Sequence, residues 1–142
     1  ALIANGQKVY EDYIQHCFYG GMVSEEIEDA VNKLFTQRNK PDAIFATSDK
    51  LTTGCLKTLK RRGLKVPDDV SVVGFSNTDI AELIDPPLTV VRQPAFEMGK
   101  DATELLLQLI ESKRPIKEFE KRILTPELQI RESSVKKMVI AD

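Results

Sequence analysis

The sequence predicts an α/β fold built on a parallel sheet, and three features predict it. Ala43-Ile44-Phe45-Ala46-Thr47 and Val70 to Phe75 are short, continuous apolar runs, the pattern of strands buried on both faces. Between them lies a helix-length segment with Leu51, Cys55, Leu56 and Leu59 along one side. Strand, crossover helix and strand make a βαβ unit, which requires parallel strands and a right-handed crossover. Ser48 or Asp49 can cap the helix start. Lys60, Arg61 and Arg62 sit in its last turn, where cations complement the helix dipole, and Gly63 can take the left-handed stop. Pro67-Asp68-Asp69 then turns the chain into the second strand.

The remaining elements follow in order. Leu2, Ile3, Val9 and Tyr10 read as the end of one element followed by a loop or short helix. Tyr13 to Phe18 alternates as a strand does, with Ile14, His16 and Phe18 on one face, and Gly20-Gly21 breaks it. Ser24 is expected to cap a helix through Phe35: Glu25 and Glu26 load its first turn, and Ile27, Ala30, Val31, Leu34 and Phe35 form its apolar stripe. Gln37 to Pro41 is a connecting loop. Ser76 to Pro87 is a loop able to hold a helical turn, with Ile80, Ala81, Leu83 and Ile84 as an apolar side that calls for packing. Leu88 to Val91 is a third strand. Pro94 suits the first position of a helix whose apolar face is Ala95, Met98, Ala102, Leu105, Leu106, Leu109 and Ile110, with Pro115 beyond its end. Glu118 to Leu124 and Glu127 to Arg131 read as strands flanking Pro126, and Ser133 to Asp142 as a tail.

Composition narrows the function classes. A chain of 142 residues can bury a real core. No apolar run approaches a membrane span, and the first residues lack the basic-then-apolar pattern of a secretory signal. Net charge is −2, so the chain exerts no global pull on nucleic acid. Cys17 and Cys55 lack metal or disulfide spacing and read as buried thiols of a reducing cytoplasm. His16 is the only histidine and reads as an ordinary strand residue. No Ser-His-Asp set, metal cluster or phosphate loop can be assembled, so we expect no enzyme, no metal and no cofactor. Asp79, Glu82 and Asp85 read as a solvated acidic loop. Lys57, Lys60, Arg61 and Arg62 are explained by the helix dipole and solubility.

A binding module has positive support. In open parallel sheets, ligands occupy the crevice beyond the carboxyl ends of the strands. Here those ends carry Ser48, Asp49, Ser76 and Asn77, the hydroxyl, carboxylate and amide groups that hold sugars and small polar metabolites. Plain N-capping accounts for at least one of Ser48 and Asp49, and we expect Asp49 to orient the helix start more than to touch ligand.

The blocks PDAIFATSDKLTTG, RRGLKVPDDVSVVGFSN, DPPLTVVRQP, FEMGKDATELLL and LQIRESS, in this order and spacing, resemble the LacI/GalR family of bacterial transcription regulators. The resemblance covers Pro41 to Ser134 strongly and the earlier residues loosely. It implies a three-layer lobe of a type I periplasmic-binding-protein-like fold, incomplete, with no helix-turn-helix DNA-binding domain in this chain. Residues 1–91 and 122–134 would form the C-terminal lobe, and residues 94–115 a crossover helix belonging to an N-terminal lobe. The implied function is effector sensing and dimerisation in a cytoplasmic, non-enzymatic regulator that meets operator DNA only through the missing domain. Its effector would be a small polar metabolite, a sugar or sugar derivative. The alternative is a periplasmic sugar receptor of a transporter or sensor. Effector contacts carry over to Ser48 and Ser76. Many sugar-responsive members hold an aspartate at the latter position, and serine cannot accept two sugar hydroxyls in the same way. The family's homodimer contact maps onto Thr53, Leu56, Lys57, Ile80, Leu83 and Ile84. With its lobe partner absent, the helix from Pro94 to Ile110 is expected to fold back onto its own lobe or to dock on a neighbouring copy.

Overall fold

The computed structural model describes residues 2–112 and 120–135. Four strands form one sheet in spatial order β1 (Ala43–Ala46), β2 (Ser71–Phe75), β3 (Thr89–Arg92) and β4 (Glu127–Gln129). The first three are parallel, and β4 runs antiparallel along the outer edge of β3. Helices α1 (Ser24–Thr36) and α2 (Asp49–Arg61) lie against one face, and α3 (Ala95–Glu111) leaves the end of β3.

The βαβ unit forms as its sequence dictates. Ser48 is extended and its hydroxyl accepts from the Leu51 amide at 3.2 Å, so the serine, and not Asp49, caps α2. Gly63, at φ 70°, takes the left-handed stop. Cys55 and Leu59 are buried, and Leu51 and Leu56 pack against the same core. Two buried positions escaped an apolar stripe: Thr52 and Thr58, which return their hydroxyls to the carbonyls of Ser48 (2.7 Å) and Gly54 (2.9 Å). A threonine satisfied by its own helix can be buried as an apolar residue is.

The core joins Ile27, Val31, Leu34 and Phe35 of α1 to Cys55 and Leu59 of α2, and to Val70, Val72, Leu88 and Val90 of the sheet segments. A Cβ added at Gly54 would fall 2.6 Å from Ile27 Cδ1, so α1 and α2 approach closely there. Arg61 pairs with Glu28 at 2.9 Å, and Arg62 donates to Asn32 while lying 5.5 Å from the Phe35 ring centroid. The basic end of α2 therefore latches onto α1, a role beyond dipole complementation.

Several expectations change. Tyr13 to Phe18 is not a strand: Glu11–Tyr13 is a 3-10 turn and the chain continues irregularly, with Ile14 and Phe18 exposed. β1 ends the sheet with an open outer edge, and this segment does not pair with it. Ser24 begins α1 but makes no capping bond, and Val23 holds the cap position. β1 is not buried on both faces. Ile44 and Ala46 register with Val72 and Gly74 on the helix-covered face, while Phe45 on the other face is 55% exposed and meets Phe75 edge-on. Of the three layers expected, the described residues provide the sheet and the layer of α1 and α2.

Cys55 is buried, and burial pushes its thiol up to about 12; Cys17 is only half-buried, its thiol raised by desolvation and by Glu26. Asp79 and Glu82 are not merely solvated: Arg92 and Arg131 reach them at 3.0 Å. Residues 120–126 form no strand, and Glu118 lies outside the described residues, as do Pro115 and Lys136 to Asp142 of the expected tail. Ser133 is buried rather than part of a tail. No residue of α3 is buried, and Met98, Leu106, Leu109 and Ile110 face outward, so α3 does not fold back onto its own lobe. Arg122 braces it from Asp101 at 3.5 Å and Glu104 at 3.2 Å. Among the described residues no helix is long and apolar enough to cross a membrane.

Candidate functional site

The carboxyl ends of β1, β2 and β3 converge, because parallel strands deliver their ends to one edge. β1 runs out at Ala46 and the chain turns through Ser48 into α2. β2 runs out at Phe75 into Ser76 and Asn77, and β3 at Arg92 into Gln93 and Pro94. The edge is compact because Gly74 lies directly beneath α2: a Cβ there would stand 2.8 Å from Thr52 Cγ2.

The predicted residues meet in two groups. Ser76 is 4% exposed; its hydroxyl donates to Asp49 Oδ1 and accepts from the Thr78 amide at 3.2 Å. Asp49 itself is exposed, at the first position of α2. Ser48 stands one residue away with its hydroxyl engaged in the cap. Asn77 forms the second group with Gln93, accepting from the Gln93 amide at 2.8 Å and donating to its carbonyl at 3.1 Å. The asparagine side chain thus imitates one more backbone rung and fixes the turn from β3 into α3.

Beside Asn77 opens a cleft of about 480 Å³, lined also by Arg92, Gln93, Phe96, Glu97 and Glu127. None of these was anticipated. The signal was present: the crevice rule, applied to the end of β3 as well as to β1 and β2, selects Arg92 and Gln93. Phe96 is 81% exposed at the cleft rim. A concave site with amide, guanidinium, carboxylate and aromatic groups suits a small polar ligand with an apolar face. Among the described residues no cluster of histidine, cysteine, aspartate or glutamate could hold a metal ion.

The residues mapped to a dimer contact divide. Thr53 and Lys57 are exposed on α2, and Leu56 is half-buried against the chain's own core. In the 3-10 turn Asp79–Glu82 and its continuation, Ala81 and Ile84 turn inward, while Ile80 is 54% and Leu83 82% exposed.

Comparison with known proteins gives a consistent picture. The family described as periplasmic binding protein-like domain matches residues 4–134. The HTH-type transcriptional repressor PurR of Vibrio parahaemolyticus is 41% identical over 109 residues, which cover 75% of this chain and 31% of that protein. The chain thus spans about a third of the length of the curated relatives it matches. Among solved structures, a LacI family transcriptional regulator from Enterococcus faecium with bound ribose aligns at TM-score 0.63 and 31% identity, over 80% of this chain and 40% of that one. The CelR–cellobiose complex aligns at TM-score 0.76 and 30% identity, over 94% and 39%.

Proposed function

Because this chain belongs to the periplasmic binding protein-like domain family, in its LacI-type regulator branch, we propose that it is the effector-sensing and dimerisation portion of a DNA-binding transcriptional repressor. The observation that carries this reading is the polar crevice at the carboxyl edge of the sheet, which holds Ser48, Asp49, Ser76 and Asn77 and where Asn77 lines a cleft of ligand size. The effector is a sugar or sugar derivative, a class favoured by the ribose and cellobiose held by similar proteins. Residues 1–91 and 122–134 act as the C-terminal lobe, and residues 94–115 supply the crossover helix of the other lobe, which would cover the outward stripe of α3. The protein works in the cytoplasm and reaches operator DNA through a separate helix-turn-helix domain. The alternative, a periplasmic receptor, is not favoured, since the relatives above are repressors or regulators of transcription.

The test is sequence-selective binding of genomic DNA fragments by the intact protein, with and without D-ribose or cellobiose. We expect a selected site whose affinity changes on sugar addition by ~5–150-fold, the usual range of allosteric coupling. An intact protein that selects no DNA site would end the regulator reading.

Dimerisation is assigned to Thr53, Leu56, Lys57, Ile80, Leu83 and Ile84, with Leu83 as its outermost apolar group. A two-fold contact pairs a patch with its own copy. Leu83→Glu would bury an unpaired carboxylate from each protomer, at several kcal/mol per ion. Sedimentation of the intact variant should show dimerisation weakened ~100-fold or more, since each 1.4 kcal/mol is tenfold. A variant that stays dimeric at wild-type concentrations moves the interface elsewhere.

A further inference from the structure

We infer that Asp49, and not Ser76, is the residue that reads the hydroxyls of the effector, and that Ser76 is a positioning residue holding that carboxylate at the crevice. The inference rests on the reading of the crevice as a sugar site and reverses the roles expected from the sequence.

The hydrogen-bond inventory decides between the two side chains. A serine hydroxyl has one donor and two acceptor positions. In Ser76 the donor goes to Asp49 Oδ1 and one acceptor position to the Thr78 amide, and the residue is 4% exposed. It has no proton left for a ligand and almost no surface. Asp49 is in the opposite condition. Ser48 already caps α2 through the Leu51 amide, so the helix does not need the aspartate for that purpose. An ionised carboxylate has about four acceptor positions. Ser76 occupies one, and among the described residues Oδ2 has no partner. Asp49 is exposed, at the first position of α2.

The location fits the role. Ser76 is followed directly by Asn77, which lines the cleft. The carboxylate is therefore fastened at the carboxyl edge of the sheet, one residue from the cleft-lining Asn77 through Ser76, by a bond spanning 27 residues of sequence. A carboxylate held on one oxygen with the other free can accept neighbouring hydroxyls of a polyol through short, charge-assisted bonds. The acceptor that a serine at position 76 cannot provide is supplied from the end of the adjacent strand. The ligand class is a neutral polyol with vicinal hydroxyls; an anionic metabolite would meet repulsion from Asp49.

The experiment is calorimetric titration of the intact protein with D-ribose, 2-deoxy-D-ribose and cellobiose, using wild type, Asp49→Asn and Ser76→Ala. Asp49→Asn is isosteric, exposed and leaves the Ser48 cap in place, so the fold is retained. We expect Asp49→Asn to weaken binding of the preferred sugar ~10–100-fold, the loss of one or two hydrogen bonds to a charged group. Its discrimination between ribose and 2-deoxyribose should collapse where ribose is that sugar. Ser76→Ala should cost only ~3–10-fold while keeping the discrimination, because the carboxylate remains but is less well held. A loss in Ser76→Ala with none in Asp49→Asn overturns the inference and leaves the sugar reading intact. Binding unchanged in both variants removes the crevice as the site. A wild-type protein that binds none of these sugars overturns the polyol class for both statements.

Discussion

Ser133→Ala is expected to lower the unfolding free energy by ~2–4 kcal/mol, although it removes a single oxygen from a residue with no apparent role in the sequence. Its hydroxyl accepts from the Thr89 amide at 2.8 Å and donates to the Val72 carbonyl at 2.6 Å. It thus stands between β2 and β3 where the two strands begin to pair. Ser133, Thr89 and Val72 are each at most 2% exposed, so water cannot replace it. Alanine leaves a buried donor and a buried acceptor unpaired, each at about 1–3 kcal/mol. Urea unfolding checks the value, with Ser24→Ala as reference: Ser24 is exposed and makes no capping bond, so its loss should stay within about 0.5 kcal/mol. Equal midpoints for the two variants would show that β2 and β3 close their ladder without the serine. The rest of the LQIRESS block serves the same junction. Arg131 donates to the Leu88 carbonyl at 2.9 Å and its backbone amide to Thr89 Oγ1 at 2.8 Å, which ties β4 and its turn to the start of β3.

Gly74→Val should cost about 3 kcal/mol, the upper end of the usual penalty for overfilling a packed site. The added Cβ would meet three atoms of Thr52, the nearest at 2.8 Å, and Thr52 is itself 1% exposed with its hydroxyl bonded to the Ser48 carbonyl. α2 must lift from the sheet at its first turn, the turn that carries Ser48 and Asp49. Stability and site geometry are therefore lost together, and sugar affinity should fall further than in Ser76→Ala. Thermal unfolding and titration of the same variant measure both. Wild-type affinity in Gly74→Val would mean that the start of α2 can shift without disturbing the crevice.

Much of the fold was legible because it is local. The apolar runs at Ala43 to Ala46 and Val70 to Phe75, the serine before α2, the glycine after it and the stripe Ile27, Val31, Leu34, Phe35 each specify an element within a few residues. Period and capping chemistry are properties of a segment: the period survives into the structure at α1 and α2, the apolar runs at β1 and β2, and the serine cap at α2. The crevice was legible in the same way, since parallel strands bring their carboxyl ends to one edge wherever they form.

What only the tertiary structure decided is which groups find one another across long separations. Periodicity marks the side of Phe45 and of α3 that is apolar, but not whether a partner covers it, and both face outward here. The alternation of Tyr13 to Phe18 encodes a strand only if packing brings it alongside a sheet edge, and here it does not pair with the open edge of β1. Ser76 and Asp49 are 27 residues apart, and Ser133 and Val72 61 apart. A hydroxyl has no preference readable from its neighbours in sequence, because its partner is set by whichever unpaired carboxylate, amide or carbonyl the packed chain brings within about 3 Å. The sequence by itself therefore determined the elements, their order and the edge where a ligand is expected. The assignment of Ser76 to hold Asp49, and of Ser133 to join two strands, came from packing, which alone settles where a buried polar group must find its partner.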